Sequence, residues 1–268
     1  MSLLALDIET LGLLEKSPLP EITCACLYDG TTEFMLPFYN VSSEARALNA
    51  AQLIQLLDSA DRIIGYNAVF FDLEFIKRSF EISEERMSSW VRKTIDPFMF
   101  LKCVMNTTSN LASLLSLNNL SSKTGTGLHA INLALEVHQP FSSLPAPHFL
   151  TCLLVSQGKN EELLQYCLMD AKLVYRLCQL SEIKIKNAQD QIATCSIDFQ
   201  TGRWNVTEPP RSSLKHTNKS SKHPQARQYP VVFGRIFKER VLPEMILHYQ
   251  SPLVNPEHVS WISFASVE

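Results

Sequence analysis

The chain has 268 residues, and hydrophobic residues make up 46% of them, enough for one large domain or for one domain with an appendage. Its formal net charge is −3, with an excess of acids in residues 1–200 and an excess of bases in residues 201–268. The sequence has neither a run of about 18 apolar residues nor a charged leader before an apolar segment, so we expect an intracellular protein, in the cytoplasm or nucleus, that is neither membrane-spanning nor secreted.

Short strand-like and helix-like segments alternate in the first hundred residues, and the periodicity becomes helical after about residue 105, which predicts an α/β domain with a helical second half. A long helix is predicted from about residue 160 to residue 182. The predicted strands of the first half are residues 2–9, 21–30, 31–39, 62–67 and 93–101. The seven cysteines are scattered without a C-x-x-C pair, so neither a disulfide framework nor a zinc ribbon is indicated.

The C-terminal part differs in composition from the rest of the chain. Residues 196–207 predict a hairpin that turns at residues 200–202, and residues 207–228 are polar, basic and marked by prolines. The latter segment predicts a linker that is either simply solvated or a tether for nucleic acid, and a short helical segment follows it. We therefore divide the chain into a domain at residues 1–190 and a C-terminal extension at residues 191–268.

Two carboxylates stand in the first predicted strand, where residues 4–12 read L-A-L-D-I-E-T-L-G. Asp7 and Glu9 are two residues apart, so both side chains face the same side of the strand. Two adjacent acids repel each other and are costly to desolvate, and a divalent cation removes both problems. The simpler alternative is a pair of surface acids at the end of a strand.

Two further motifs carry acids. The pattern N-x-x-x-F-D runs from Asn67 to Asp72, and an acid at that position alone is typical of a helix N-terminus. The pattern Y-x-x-x-D places Tyr166 and Asp170 one turn apart on one face of the long helix. An acid in so apolar a helix needs a partner, so this pair indicates either a structural hydrogen bond or a functional site.

Taken in order, the three motifs resemble the exonuclease motifs of the DEDD superfamily of 3′→5′ exonucleases. The middle motif is similar to that of the proofreading exonuclease domains of B-family DNA polymerases. The histidine subtype of the superfamily has His five residues before the last acid, where this chain has Gln165. Because Tyr166 precedes Asp170 by four residues, the sequence resembles the tyrosine subtype, DEDDy, over about residues 1–182.

The resemblance implies a ribonuclease H-like fold, with a central mixed sheet of five strands flanked by helices and followed by a C-terminal appendage. It also implies an enzyme, a 3′→5′ exonuclease that hydrolyses phosphodiester bonds at single-stranded 3′ ends of DNA or RNA. Two divalent cations, Mg²⁺ or Mn²⁺, would activate water and stabilise charge on the attacking and leaving oxygens. The implied catalytic residues are Asp7, Glu9, Asp72, Tyr166 and Asp170.

Within this set the resemblance implies separate roles. Asp7, Glu9, Asp72 and Asp170 would ligate the metals, and Tyr166 would aim the attacking water. The expected substrate contacts are Thr10, Leu11 and Asn67, although Asn67 could instead cap a turn.

Two other functions fit the same residues. One is a catalytically idle nucleic-acid-binding or scaffold protein on the same fold, although an idle copy has no physical reason to keep a repulsive acid cluster. The other is an α/β domain with coincidental acids, which predicts no effect of metal ions on stability.

Overall fold

The computed structural model describes residues 1–14, 17–103, 109–120, 151, 154–155, 157–186 and 191–207. The described strands are β1 (Leu3–Thr10), β2 (Ile22–Tyr28), β3 (Glu33–Pro37), β4 (Arg62–Ile64), β5 (Thr94–Ile95), β6 (Ile183–Lys186), β7 (Ile192–Asp198) and β8 (Arg203–Thr207). The described helices are α1 (Ser43–Ser59), α2 (Asp72–Ser79), α3 (Glu84–Arg92), α4 (Pro97–Cys103), α5 (Leu111–Leu117) and α6 (Asn160–Cys178).

The central sheet has five strands in the order β3-β2-β1-β4-β5. The pairs β1–β2 and β2–β3 are antiparallel, whereas β1–β4 and β4–β5 are parallel. Parallel neighbours need a crossover connection, and α1 lies in the chain before β4, as α2 and α3 lie before β5. The predicted fold class, a mixed five-stranded sheet flanked by helices, is confirmed.

The strand β1 presents two different faces because successive side chains point to opposite sides. Leu4, Leu6 and Ile8 lie in a hydrophobic core with buried residues of α1, α2 and α3. Ala5 lies in a second core, on the opposite face, with residues of α6 such as Ala171 and Val174. Helices therefore cover both faces of the sheet, and α6 covers the face that carries Asp7 and Glu9.

A second, antiparallel sheet has the strand order β6-β7-β8. It joins the core beneath α6, where the rings of Phe100 and Trp204 stack with centroids 4.1 Å apart. The Arg62 guanidinium, at the start of β4, donates a hydrogen bond to the carbonyl oxygen of Phe199 at 2.9 Å. The predicted hairpin at residues 196–207 is confirmed as β7 and β8, and the predicted boundary between residues 190 and 191 falls between β6 and β7 of this sheet.

Two predicted elements differ from the structure. The segment predicted as a strand over residues 93–101 contains only the short β5, and α4 begins at Pro97. The helix starts there because the Asp96 carboxylate accepts hydrogen bonds from the N–H groups of Phe98 and Met99 and caps it. The long helix ends at Cys178, and β6 follows it. The predicted linker beyond Thr207 and the predicted helical segment lie outside the described residues.

Candidate active site

Three acids from two elements form a compact cluster. Asp7 and Glu9 lie on the same face of β1, and α6 crosses that face and carries Asp170. One carboxylate oxygen from each of the three lies within 4.8 Å of the others. Glu9 and Asp170 are each 7% exposed, so the cluster lies largely out of water. The structure thus brings together the acids of the first and third motifs, which are about 160 residues apart in the chain.

Asp72 lies next to this cluster but is bound differently. It is the first residue of α2, and its Oδ1 accepts a hydrogen bond from the backbone N–H of Ile8 at 2.9 Å, between the two acids of β1. Burial, and after it the negative charges of Asp96 and Asp170, raises the pKa of Asp72 to about 8. Among the described residues, Asp72 is not part of the group of three clustered acids.

Tyr166 lies one helical turn before Asp170 and is 7% exposed. Its ring is part of a third hydrophobic core, between β2 and α6. The neighbouring Cys167 thiol donates a hydrogen bond to the carbonyl oxygen of Asp7 at 3.2 Å and so attaches α6 to β1 beside the acids. The geometry places the phenol and the acid of the third motif on the same side of the sheet as the first motif.

Glu9 is held by two threonines that sequence reasoning missed. The hydroxyl of Thr151, which is fully buried, donates a hydrogen bond to Oε2 of Glu9 at 2.6 Å. The Thr23 hydroxyl donates to the backbone carbonyl of Glu9 at 2.9 Å. These contacts fix the orientation of the Glu9 carboxylate and of the strand that carries it. Neither threonine belongs to a motif, so no local sequence signal points to either.

The three residues predicted to contact substrate occupy different environments. Thr10 is fully buried, and its hydroxyl donates to the carbonyl oxygen of Gly12 at 2.8 Å. Leu11 is half-buried and packs against the third hydrophobic core. Asn67 is half-buried with φ at +65°, a left-handed conformation that asparagine tolerates in turns. Contact of any of them with substrate stays a prediction.

Asp96 is a further residue near the site that no sequence motif singles out. It is 2% exposed, and its two oxygens accept hydrogen bonds from the backbone N–H groups of Asn67, Val69, Phe98 and Met99. Burial raises its pKa to about 6 against the opposing effect of these hydrogen bonds. The Asp96 carboxylate therefore ties the turn that leads to Asp72 to the start of α4.

The donors of the cluster fit a hard divalent cation. Carboxylate oxygens are the ligands that Mg²⁺ and Mn²⁺ prefer, and the cluster offers only such oxygens. Burial, and after it the negative charges of Asp96 and Asp170, raises the pKa of Asp72, so an ionised carboxylate is costly at this place. A divalent cation would offset this charge. The residues present therefore fit the metal that the sequence motifs imply.

The fold belongs to the ribonuclease H-like class. A family model described as the RNase_H superfamily matches residues 4–131, a stretch that holds all five strands of the central sheet. Asp7, Glu9 and Asp72 lie inside the matched residues, and Tyr166 and Asp170 lie beyond them. The match supports the superfamily part of the predicted resemblance and a nuclease function, whereas the DEDDy subtype and the likeness to B-family polymerases stay predictions.

The chain is similar to individual solved structures but not to individual curated sequences. Among curated proteins, no sequence matches the chain. Fifty chains of solved structures match it. One of them is ribonuclease D of Trypanosoma brucei, with 18% sequence identity and a TM-score of 0.36. The match covers 65% of this chain and 62% of the length of that ribonuclease D.

Within the described ranges, no helix is both long enough and apolar enough to cross a bilayer.

Proposed function

We propose that the protein is a metal-dependent 3′→5′ exonuclease of the DEDDy type. Its substrate would be the single-stranded 3′ end of DNA or RNA, and its cofactors two divalent cations, Mg²⁺ or Mn²⁺. The observation that carries the proposal is the convergence of Asp7, Glu9 and Asp170 within 4.8 Å, with Tyr166 one turn away on α6. A cluster of buried acids with a phenol beside it suits hydrolysis of a phosphodiester better than it suits a structural role.

The acids would share the work of holding the cations. Asp7, Glu9 and Asp170 offer clustered oxygens, and Asp72 would support the second cation from its position beside Ile8. Bound divalent cations supply an activated water and stabilise charge on the attacking and leaving oxygens. The side chains in turn fix where the cations bind, because β1 and α6 are both held by the hydrophobic core.

Tyr166 would act by orientation and not as a strong base. A phenol hydroxyl can both donate and accept hydrogen bonds, so it can hold a water molecule in a fixed orientation. From one turn before Asp170, this hydroxyl would align the attacking water with the scissile bond. Thr10, Leu11 and Asn67 remain the proposed contacts of the terminal nucleotide.

A single degradation assay tests the proposal. The full-length protein is incubated with 5′-labelled single-stranded DNA, single-stranded RNA and recessed duplexes, each with Mg²⁺, Mn²⁺ or EDTA. We expect a ladder that shortens from the 3′ end only when a metal is present. The variant Asp170→Asn should remove the activity, and the matched control Glu182→Gln, which changes an exposed acid, should retain it.

The opposite outcomes have equally definite meanings. If folded wild-type protein binds these substrates but degrades none of them, the idle nucleic-acid-binding protein replaces the exonuclease as the function. Degradation that persists in Asp170→Asn would instead place the chemistry elsewhere or reveal a contaminating nuclease. The comparison of DNA with RNA also identifies the preferred sugar, since discrimination requires a contact with the 2′-hydroxyl.

A further inference from the structure

Three cysteines form a second cluster of potential ligands, separate from the acids. Cys24 and Cys26 lie two residues apart on β2 and face α6, which supplies Cys167. The three Sγ atoms lie within 4.8 Å of one another, and each residue is at most 1% exposed. The first two are more than 140 residues from the third in the chain, which is why the scattered cysteines gave no signal in the sequence.

The sulfurs of this thiol cluster are shielded from water and lie between a hydrophobic core and the acid cluster. Cys26 donates a hydrogen bond to the carbonyl oxygen of Leu164 at 3.4 Å, and Cys167 donates to that of Asp7. The rest of the core around the sulfurs is built from Leu154, Val155, Leu163 and Leu168. The three clustered ligand atoms are therefore all soft sulfur donors.

We propose that the thiol cluster binds a thiophilic d¹⁰ cation, Zn²⁺ or Cu⁺. A metal–sulfur bond is about 2.3 Å long, so three sulfurs around one ion lie about 4 Å apart, and the observed sulfurs all lie within 4.8 Å of one another. Each thiol that ligates the ion loses its proton to solvent. Two sites in one molecule would thus sort metals by softness, with hard cations at the acids and a soft cation at the thiols.

The number of ligands distinguishes the two ions. A structural Zn²⁺ site is almost always four-coordinate, whereas the thiol cluster offers three sulfurs among the described residues. Zn²⁺ would therefore need a fourth donor, for example a carbonyl oxygen of the surrounding backbone. Cu⁺ favours soft thiolate ligands and has no such requirement for four.

A cation bound at the thiol cluster would also affect the neighbouring acids. In the β1–β2 register Cys26 is opposite Asp7, and Cys24 is opposite Glu9. Cys167 lies one turn from Asp170 on α6. A bound ion would cross-link β2 to α6 directly beside the acid cluster, and a ligand that binds only the folded state stabilises it by mass action.

The test must supply the ion before the fold closes, because the cluster is shielded from solvent. The reduced full-length chain is refolded under inert gas with excess Mg²⁺, which fills the acid cluster, and one equivalent of Zn²⁺ or Cu⁺. After gel filtration we expect about one thiophilic ion per chain, a sulfur-to-metal absorption band, and a native mass raised by the ion less the displaced protons. The same measurements are made on protein purified from cells grown with either metal.

Variants assign the binding to the cluster. Cys24→Ala, Cys26→Ala and Cys167→Ala should each lower retention of the ion by at least about tenfold. The matched control is Cys195→Ala, which removes an equally buried thiol on β7, outside the cluster. The proposal is overturned if wild-type protein from both preparations retains neither ion, or if the cluster variants retain it as well as the control does. In that case the three thiols serve only as small side chains that let α6 pack closely on β2.

Discussion

The two faces of β1 differ in what they bury. Leu4, Leu6 and Ile8 place only hydrocarbon against α1, α2 and α3, whereas Asp7 and Glu9 place carboxylates beneath α6. Burial of hydrocarbon stabilises the fold, at about 25 cal/mol per Å² of apolar surface. Burial of a carboxylate opposes folding unless a partner compensates, and the raised pKa of nearby Asp72 records that opposition.

The eight residues of β1 therefore have two roles: one face stabilises the fold, and the other carries the candidate active-site acids. Alternate side chains of β1 pack in different hydrophobic cores, so a substitution on one face should leave the packing of the other face largely intact. Substitutions on each face of β1 test whether the two roles are independent.

Asp7→Asn should remove almost all nuclease activity while leaving the fold stable. The change would take one proposed metal ligand from the cluster, and loss of a preorganised charged group typically costs about a thousandfold in rate. Thermal unfolding in EDTA should occur at the same or a higher temperature, because a repulsive negative charge has gone. Activity at the wild-type level would contradict the assignment of chemistry to this face.

Leu6→Ala should have the reverse effect. Leu6 is 1% exposed, and its truncation leaves a cavity in the apolar core that costs about 2–5 kcal/mol of unfolding free energy. Activity per folded molecule, measured well below the unfolding transition, should stay near that of the wild type. The control Leu48→Ala alters a residue that is 71% exposed and should change stability by less than about 0.5 kcal/mol.

Thr151→Val should lower metal affinity at the candidate site without abolishing metal binding. The substitution keeps the shape of the side chain and removes the hydroxyl that donates to Oε2 of Glu9. Loss of such a supporting hydrogen bond typically lowers metal affinity or activity by about 10–100-fold. We expect a higher Mn²⁺ concentration at half-maximal rate, and partial rescue in Thr151→Ser. An unchanged Mn²⁺ dependence in Thr151→Val would show that the hydrogen bond does not orient Glu9 for the metal.

The smallest effect concerns pH. Burial raises the pKa of Asp72 to about 8 and that of Asp96 to about 6, above the value of about 3.9 for an unfolded chain. At pH values between the unfolded-state pKa and the folded-state pKa of each acid, the folded state therefore holds more protons than the unfolded state. In EDTA the free energy of unfolding should fall as pH rises from about 5 to about 8. Because Mg²⁺ competes with protons for the carboxylates, its stabilising effect should grow over the same range.

Thermal unfolding with and without Mg²⁺ at pH 5.5, 7 and 8.5 measures this dependence, and we expect differences of a few degrees. A Mg²⁺ effect that is equal at all three values would mean that the buried acids do not exchange protons for metal.

Local patterns were sufficient to predict the elements that carry the acids. The strand predicted at residues 2–9 is β1 at Leu3–Thr10, and the helix predicted from about residue 160 is α6 at Asn160–Cys178. Both follow from spacing alone, since a period of two places Asp7 and Glu9 together and a spacing of four does the same for Tyr166 and Asp170.

Elements that depend on a competing local signal were misassigned. The apolar run after Asp96 resembles a strand, but an acid followed by Pro97 is also a typical helix start, and the cap decides the outcome. The alternation I-K-I-K of β6 directly follows the predicted helix and was not predicted as a strand. Contacts such as that of Thr151 with Glu9 join residues 142 apart, and one sequence contains no signal for them.

The irregularity at the end of the β1–β2 ladder has a consequence for how this chain can diverge. Glu9 is opposite Cys24 while Thr10 is opposite Ile22, so Thr23 is an extra residue on β2 just past the last acid. One residue inserted in β1 before that point would move each following side chain to the opposite face of the sheet. The acids would then face the hydrophobic core that holds Leu4 and Leu6. The length of the ladder over residues 4–9 is therefore constrained, whereas an insertion or deletion beyond Glu9 falls where the sheet already accommodates an unmatched residue.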